Sequence, residues 1–166
     1  MKFRVDVERA EAQLRPIAIN SANGVLRLME DFRRAYGNDL DTGMSVLAVA
    51  ATSMAPHSHF GPDADYADQR TPVPDEALAP CNIASIVEAT GLPRETARRK
   101  VHRLIKEGIL RRLRNGSLAL VFAPENRELL YEAVRRQTHQ AARLASLLAG
   151  AGILEPQETD RFDIAA

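Results

Sequence analysis

The fold is decided by residues 82–108, NIASIVEATGLPRETARRKVHRLIKEG. Apolar residues recur at helical spacing on both sides of the Gly91-Leu92-Pro93 sequence. Asn82 is a preferred residue for capping the first helix. Glycine adopts the positive φ of a tight turn without steric cost, and proline has the φ required at a helix start. The stretch therefore predicts a short helix, a tight turn and a second helix over 93–107.

A β-hairpin is predicted directly after the second helix, over residues 109–121 (ILRRLRNGSLALV). Asn-Gly at 115–116 lies between two strand-like runs, and this dipeptide favours a two-residue type I′ turn, in which both residues have positive φ. Such a turn would place Leu113 opposite Leu118. It would also put Arg112 and Arg114 on one face of the hairpin.

Positive charge is concentrated in the same part of the chain. Residues 81–114 contain nine basic and three acidic residues, whereas the whole chain has a net charge of zero. The remainder is correspondingly acidic. A basic segment on an acidic body is typical of a module that binds nucleic acid, although a basic helix face in contact with water alone would show the same excess.

The combined pattern of residues 82–121 resembles the winged helix-turn-helix of bacterial regulators, including the MarR, IclR, GntR and Crp types. The resemblance implies that the second helix, 93–107, enters the major groove of DNA. It further implies that the hairpin, or wing, lies on the DNA backbone or in the minor groove. The fold class expected is mainly α with a small β-hairpin wing.

Candidate DNA-contacting residues follow from this arrangement. Arginine can bridge guanine O6 and N7, and glutamate can accept a hydrogen bond from cytosine N4. Arg94 and Arg98 are the predicted base readers, whereas Lys100 and Lys106 suit phosphate contacts or plain helix surface. The full predicted set is Arg94, Glu95, Thr96, Arg98, Arg99, Arg103, Arg112, Arg114 and Asn115.

The remaining sequence predicts helical regions on either side of this module. An N-terminal helical region covers 1–56, with one helix at about 15–36 and another that begins at a cap at Asp41 or Thr42 and is apolar all round, hence buried. A Pro/Asp-rich connection, 57–80, either packs on a partner or separates two subdomains, and we expect it to be at least partly mobile. The other predicted boundaries are 81–122 for the winged module, 123–152 for a long C-terminal helix and 153–166 for a loose tail.

The predicted C-terminal helix has a pattern that favours self-association. Its apolar and small residues recur at coiled-coil spacing, with Gln137 as one polar position. Two helices before the module and one after it resemble the MarR organisation, in which terminal helices of two subunits interlock. We therefore expect a homodimer. The seam residues are Leu130, Val134, Ala141, Leu144 and Leu148.

The MarR resemblance also implies a cleft for a small-molecule effector beside the helices at 17–36 and 42–54. The second of these helices offers few polar groups with which to orient a ligand. Two other candidate sites have weak patterns. Cys81 has no neighbouring residue that identifies a redox sensor, and a small buried residue is the simpler interpretation. His57 and His59 with Asp63 and Asp65 resemble a metal cluster, but no regular structure is predicted to hold them.

No motif of an enzyme, cofactor site or metal site is predicted, so we expect neither catalysis nor a cofactor. No run of eighteen apolar residues indicates a membrane span, and the charged N-terminus does not resemble a signal peptide, so a cytoplasmic location is expected. The sequence thus predicts a homodimeric, sequence-specific transcriptional regulator that binds double-stranded DNA. The alternatives are a winged helix that binds protein and a non-specific architectural DNA-binding protein.

Overall fold

The computed structural model of the chain describes residues 2–36, 39–59, 66, 71–121 and 124–157. The described part is mainly helical, with two small antiparallel two-stranded sheets, as the predicted fold class requires. It has two single 3₁₀ turns, Ala55–His57 and Asp75–Ala77. The helices and strands are β1 (Lys2–Val5), α1 (Val7–Ala12), α2 (Leu14–Tyr36), α3 (Leu40–Ser53), α4 (Ile83–Thr90), α5 (Arg94–Lys106), β2 (Leu110–Arg112), β3 (Leu118–Leu120), α6 (Pro124–Gly150) and β4 (Leu154–Gln157).

The chain divides into two compact units. The central unit comprises residues 30–132, and the terminal unit comprises 1–29 together with 133–166. In the central unit α3 packs against α4, α5 and β3, so it shares a core with the hairpin module. The predicted boundaries assign this helix to the N-terminal helical region, 1–56, and not to the 81–122 module with which it packs. A helix that is apolar on most sides needs neighbours on most sides, and α4, α5 and the hairpin supply them.

The N-terminal end of α3 differs from the prediction. Asp39 is the capping residue, and its Oδ1 accepts a hydrogen bond from the Thr42 amide at 3.2 Å. The helix therefore begins earlier than a cap at Asp41 or Thr42 would allow. Most of α3 is buried, but Leu47 is exposed, so the helix is not enclosed on every side.

The turn between α4 and α5 is built as predicted. Asn82 Oδ1 accepts hydrogen bonds from the amides of Ala84 and Ser85, at 2.8 and 3.2 Å, and Ser85 Oγ accepts one from the Asn82 amide. Gly91 ends α4 with a φ of +69°, in the left-handed region that glycine tolerates best. The apolar period of α5 predicts that Ala97, Val101, Leu104 and Ile105 face inward, and the first three are buried whereas Ile105 is half-buried.

The hairpin exists, but its predicted register is wrong by one residue. Leu118 lies opposite Arg112, not opposite Leu113, and the Leu113 amide donates to Ser117 O at 2.8 Å. The loop therefore contains three residues, 114–116, and only Gly116 has a positive φ. A type I turn followed by a left-handed glycine is the usual three-residue loop. Arg114 lies in the loop rather than in β2, so the alternation of strand residues does not test whether it shares a face with Arg112, and that part of the prediction stays a prediction.

The described ends of the Pro/Asp-rich connection fold back on α3. The Ala79 amide donates to Ser53 O at 2.9 Å, and His57 Nε2 lies 3.0 Å from Ala77 O. After the connection, the Leu118 amide donates to Cys81 O, which attaches the start of α4 to the hairpin. Residues 60–65 and 67–70 lie outside the described part, so the predicted mobility of this segment stays a prediction.

In the terminal unit, the segment predicted as a loose tail begins with a strand. β4 pairs with β1 in an antiparallel register that runs from Lys2 opposite Gln157 to Val5 opposite Leu154. The prediction missed this pair because four-residue strands this far apart in sequence leave no local signal. Residues 158–166 lie outside the described part.

The predicted seam of α6 has mixed exposure. Val134, Gln137 and Ala141 are exposed, whereas Leu144 and Leu148 are half-buried. The side chain of Leu130 lies outside the described part. The N-terminal part of the described seam is therefore exposed to solvent, and its C-terminal part is partly covered.

Candidate nucleic-acid interface

The outer face of α5 is set by the residues that the helix buries. Because Ala97, Val101 and Leu104 point into the core, the opposite side of the helix faces solvent. Arg94 and Arg98 flank this outer face on one side, and Arg103 flanks it on the other. Its central residues, all exposed and spaced at four, three and four, are Glu95, Arg99, His102 and Lys106.

Arg98 is engaged within its own helix. Its Nε donates to Glu95 Oε2 at 3.0 Å and its Nη2 donates to Glu95 Oε1 at 2.9 Å. This pair lowers the pKa of the Glu95 carboxyl and raises the pKa of the Arg98 guanidinium. Glu95 therefore occupies the Nε and Nη2 groups of Arg98, so a DNA contact by Arg98 would use its remaining N–H groups or require it to leave Glu95.

Lys100 has a structural role that the sequence did not indicate. Its Nζ donates to Asp39 Oδ2 at 2.5 Å, and its side chain is only 15% exposed. The same carboxylate lies 3.6 Å from Arg103 Nη1, and Arg103 Nε also donates to Glu107 Oε1 at 2.7 Å. Hydrogen bonding to Lys100 lowers the pKa of Asp39 to about 2, against the opposing effect of partial burial. Lys100 thus attaches α5 to the first turn of α3 and is not available to DNA phosphate.

A second long-range ion pair holds the hairpin. Arg111 donates through Nη1 to Asp75 Oδ2 at 2.9 Å and through Nη2 to Asp75 Oδ1. The pair lowers the pKa of Asp75 and raises that of Arg111. A two-bond contact between guanidinium and carboxylate is geometrically specific. It connects β2 to the 3₁₀ turn that ends the Pro/Asp-rich connection.

The other basic residues of the module remain available. Within the described part of the chain, no carboxylate forms an ion pair within 4 Å of Arg94, Arg99, Lys106, Arg112 or Arg114, although Arg99 acts on Glu95 and Arg114 acts on Asp75 at longer range. Arg112 Nη1 donates to Gly116 O at 3.0 Å, which positions its side chain beside the loop. All five side chains are exposed.

Backbone hydrogen bonds join the base of the hairpin to the end of α5. The Ile109 amide donates to Leu104 O at 2.9 Å, and the Val121 amide donates to Ile109 O. Asn115 Oδ1 accepts from the Ser117 amide at 3.0 Å, so this predicted DNA contact shapes the turn in the free protein. Thr96 is half-buried at the edge of α5. The hairpin thus begins directly at the end of the helix that carries the predicted base readers.

Sequence reasoning missed Asp39 and Asp75, the two carboxylates that bind Lys100 and Arg111. Asp39 is 61 residues from Lys100, and Asp75 is 36 residues from Arg111. No periodic pattern connects positions so far apart. One weak signal existed for Asp39, because an aspartate just before a helix is a common cap.

The other candidate sites receive less support. Cys81 is fully buried, and burial raises the pKa of its thiol, which opposes the thiolate that a redox sensor needs. The His57 ring packs edge-on against Tyr66, with the ring centroids 5.0 Å apart. The described residues contain no cluster of three or more potential metal ligands, although Asp63 and Asp65 lie outside them. Among the described helices, none is long and apolar enough to cross a membrane.

Comparison with known proteins gives no match to a family model, a curated protein or a solved structure. The likeness to winged helix-turn-helix regulators and the effector cleft expected beside α2 and α3 therefore stay predictions.

Proposed function

We propose that the chain is a sequence-specific, double-stranded DNA-binding transcriptional regulator of the winged helix-turn-helix class. The observation that carries this proposal is the set of five exposed basic residues without a carboxylate partner on α5 and the hairpin. A chain of zero net charge has ample acidic residues with which to neutralise them. Exposed cations without a direct ion pair, on a helix and on the hairpin that follows it, suit a phosphate-rich partner.

The position of each cation suggests its role. Arg99 lies at the centre of the outer face of α5, and Arg94 lies in the first turn, which approaches base edges most closely in helix-turn-helix complexes. Arg112 and Arg114 lie on the hairpin, where phosphate or minor-groove contact is expected. Relative to the sequence prediction, Arg99 joins Arg94 as a principal base reader, because Glu95 already holds Arg98.

The terminal unit supports a homodimer. Ten large apolar side chains among the described residues of this unit are exposed, including Leu14, Val25 and Met29 on α2. With the exposed Ala18 and Ala22, these three residues form the α2 seam, which recurs at the four- and three-residue spacing of helix pairs. An apolar seam of this length in water exceeds the scattered apolar residues that are ordinary on a monomer. A second copy covers the seam and places two reading helices on one DNA site.

Selection of bound sequences from random duplex DNA tests the function directly. A two-fold symmetric motif is the expected result. Binding without sequence preference would instead support an architectural protein. Absence of DNA binding even at low salt would favour a protein-binding winged helix.

Alanine variants then assign the contacts. Arg94→Ala and Arg99→Ala should each weaken binding to the selected site by about 1–3 kcal/mol while affecting random DNA much less. Arg112→Ala and Arg114→Ala should each reduce the slope of log affinity against log salt by about one. Arg34→Ala, an exposed arginine on α2, is the control and should change neither quantity. Equal losses on both DNAs for Arg94 and Arg99 would make them phosphate contacts.

A further inference from the structure

Within the described residues, no strand pairs with the outer edge of β1. In an antiparallel pair, opposite residues alternate between those that exchange hydrogen bonds and those whose N–H and C=O groups point away from the partner. The Asp6 amide donates to Ile153 O at 2.9 Å, and these two residues continue the β1–β4 register. Because the two kinds of pair alternate along the strands, Arg4 and Glu155 are also a pair that exchanges backbone hydrogen bonds. Phe3 and Val5 therefore direct their backbone groups to the outer edge of β1.

The outer edge of β4 is blocked. Pro156 lies opposite Phe3, so by the same alternation its backbone nitrogen faces away from β1. Proline has no N–H to donate, and its ring hinders an approaching strand. Strand addition is thus disfavoured at β4. The free edge of β1 keeps the N–H and C=O groups of Phe3 and Val5.

The two faces of the pair differ in polarity. Phe3 and Val5 share one face with Leu154 and Pro156, because opposite residues of a ladder point the same way. Phe3 is 55% exposed and Val5 is 56% exposed. A two-stranded pair this short is marginal in water, and additional strands stabilise it.

We propose that β1 pairs antiparallel with β1 of a second copy, so that the two protomers share a four-stranded sheet in the order β4-β1-β1-β4. A two-fold axis at Arg4 places Phe3 of one protomer opposite Val5 of the other. Each of these residues then exchanges backbone hydrogen bonds with its counterpart. This contact rests on the homodimer of the proposed function and assigns one of its interfaces.

The pattern of β1 favours a copy of itself over an unrelated strand. The sequence Phe3-Arg4-Val5 has an apolar residue on each side of Arg4, so it has the same pattern when it is read in the opposite direction. In an antiparallel pair of two copies, apolar side chains therefore lie opposite apolar side chains. The two Arg4 residues would face each other, and like charges opposite each other normally destabilise a sheet. Here each guanidinium is already bound by Glu155 Oε2, at 3.1 Å from Nε and 2.8 Å from Nη2. That ion pair removes the principal cost of self-pairing.

A pair of variants isolates the backbone contact. Val5→Pro removes the outward N–H but leaves the hydrogen bonds between β1 and β4, whereas Val5→Ala shortens the side chain and keeps the N–H. We expect sedimentation equilibrium to show a dimer dissociation constant at least about tenfold higher for Val5→Pro than for Val5→Ala, because one hydrogen bond from each protomer is lost. Equal constants for the two variants would overturn the proposal.

Amide hydrogen exchange in the unmodified protein gives an independent readout. In the dimer, the amides of Phe3 and Val5 should exchange slowly, as should that of Arg4. Fast exchange at Phe3 and Val5 beside slow exchange at Arg4 would show an open β1 edge and overturn the contact. A dimer with this result that still selects a symmetric DNA motif would leave the proposed function intact. A monomer that binds DNA would remove both the dimer and this contact.

Discussion

The central and terminal units use apolar residues in opposite ways. Of the thirteen hydrophobic residues that are buried in the described part of the chain, twelve lie in the central unit, and Ile153 alone lies in the terminal unit. Of the twelve large hydrophobic residues that are exposed in that part, ten lie in the terminal unit. Both units therefore contain many apolar side chains. Those of the central unit are covered by other residues of that unit, whereas most of those in the terminal unit are not.

This difference has an energetic consequence. Helices α3, α4 and α5 with the hairpin close a core in which each element covers another. The described elements of the terminal unit bury little, and a helix gains most of its stability from packing of its apolar face. The central unit should therefore behave as a stable fold in a single chain, and the terminal unit should depend on association.

The largest effect is expected from a core truncation in the central unit. Leu104 is fully buried in α5, so Leu104→Ala should lower the free energy of unfolding by about 2–5 kcal/mol. Leu26→Ala on the exposed side of α2 should change it far less at concentrations where the protein is monomeric. Chemical denaturation over a range of protein concentrations measures both. A large loss for Leu26→Ala in the monomer would contradict the contrast between the units.

A smaller effect is expected from the ion pair that joins α5 to α3. The pKa of Asp39 is lowered from 3.8 to about 2 in the folded protein. Its contribution is therefore present above about pH 4 and is lost as the pH falls towards 2, with an upper limit of about 2 kcal/mol. Asp39→Asn retains a capping side chain, so it should lower stability at pH 7 through loss of the ion pair.

The pH dependence provides the check on Asp39. Unfolding curves of Asp39→Asn should lose part of the stability change that the unmodified protein shows between pH 4 and pH 2. Asp75→Asn is the matched control, because it removes a more exposed ion pair and should change stability much less. If the free energy of unfolding had the same pH dependence in Asp39→Asn as in the unmodified protein, the ion pair between Asp39 and Lys100 would make no contribution to stability.

The smallest effect is expected from two glycines. Gly24 lies within α2, and an added Cβ would meet no atom within 4 Å, so Gly24→Ala should stabilise the monomer by up to about 1 kcal/mol. Gly91→Ala places a side chain at a φ of +69° and should destabilise the central unit by about 1–2 kcal/mol. Thermal unfolding compares the two variants. If Gly24→Ala weakens self-association, the second copy contacts the face of α2 that carries Gly24. If Gly24→Ala lowers the stability of the monomer, the space around Gly24 is not open.

Local sequence patterns were enough to predict the parts of the central unit that face DNA in the proposed function. The helical period of α4 and α5, the Asn82 cap and the Gly91 turn each depend on neighbours within a few residues. The hairpin was predicted from Asn-Gly, but its register was not. A three-residue loop with a left-handed glycine uses the same dipeptide, so Asn-Gly alone does not distinguish the two registers.

The sequence by itself determined where the helices and the hairpin form, which face of α5 is buried and where basic residues concentrate, because these depend on short-range periodicity and charge. Tertiary structure alone decided which cations remain available. Asp39 and Asp75 neutralise Lys100 and Arg111 across 61 and 36 residues of chain. It also decided that β4 returns to β1 and leaves one edge open. Such pairings depend on the path of the folded backbone, which no local pattern encodes.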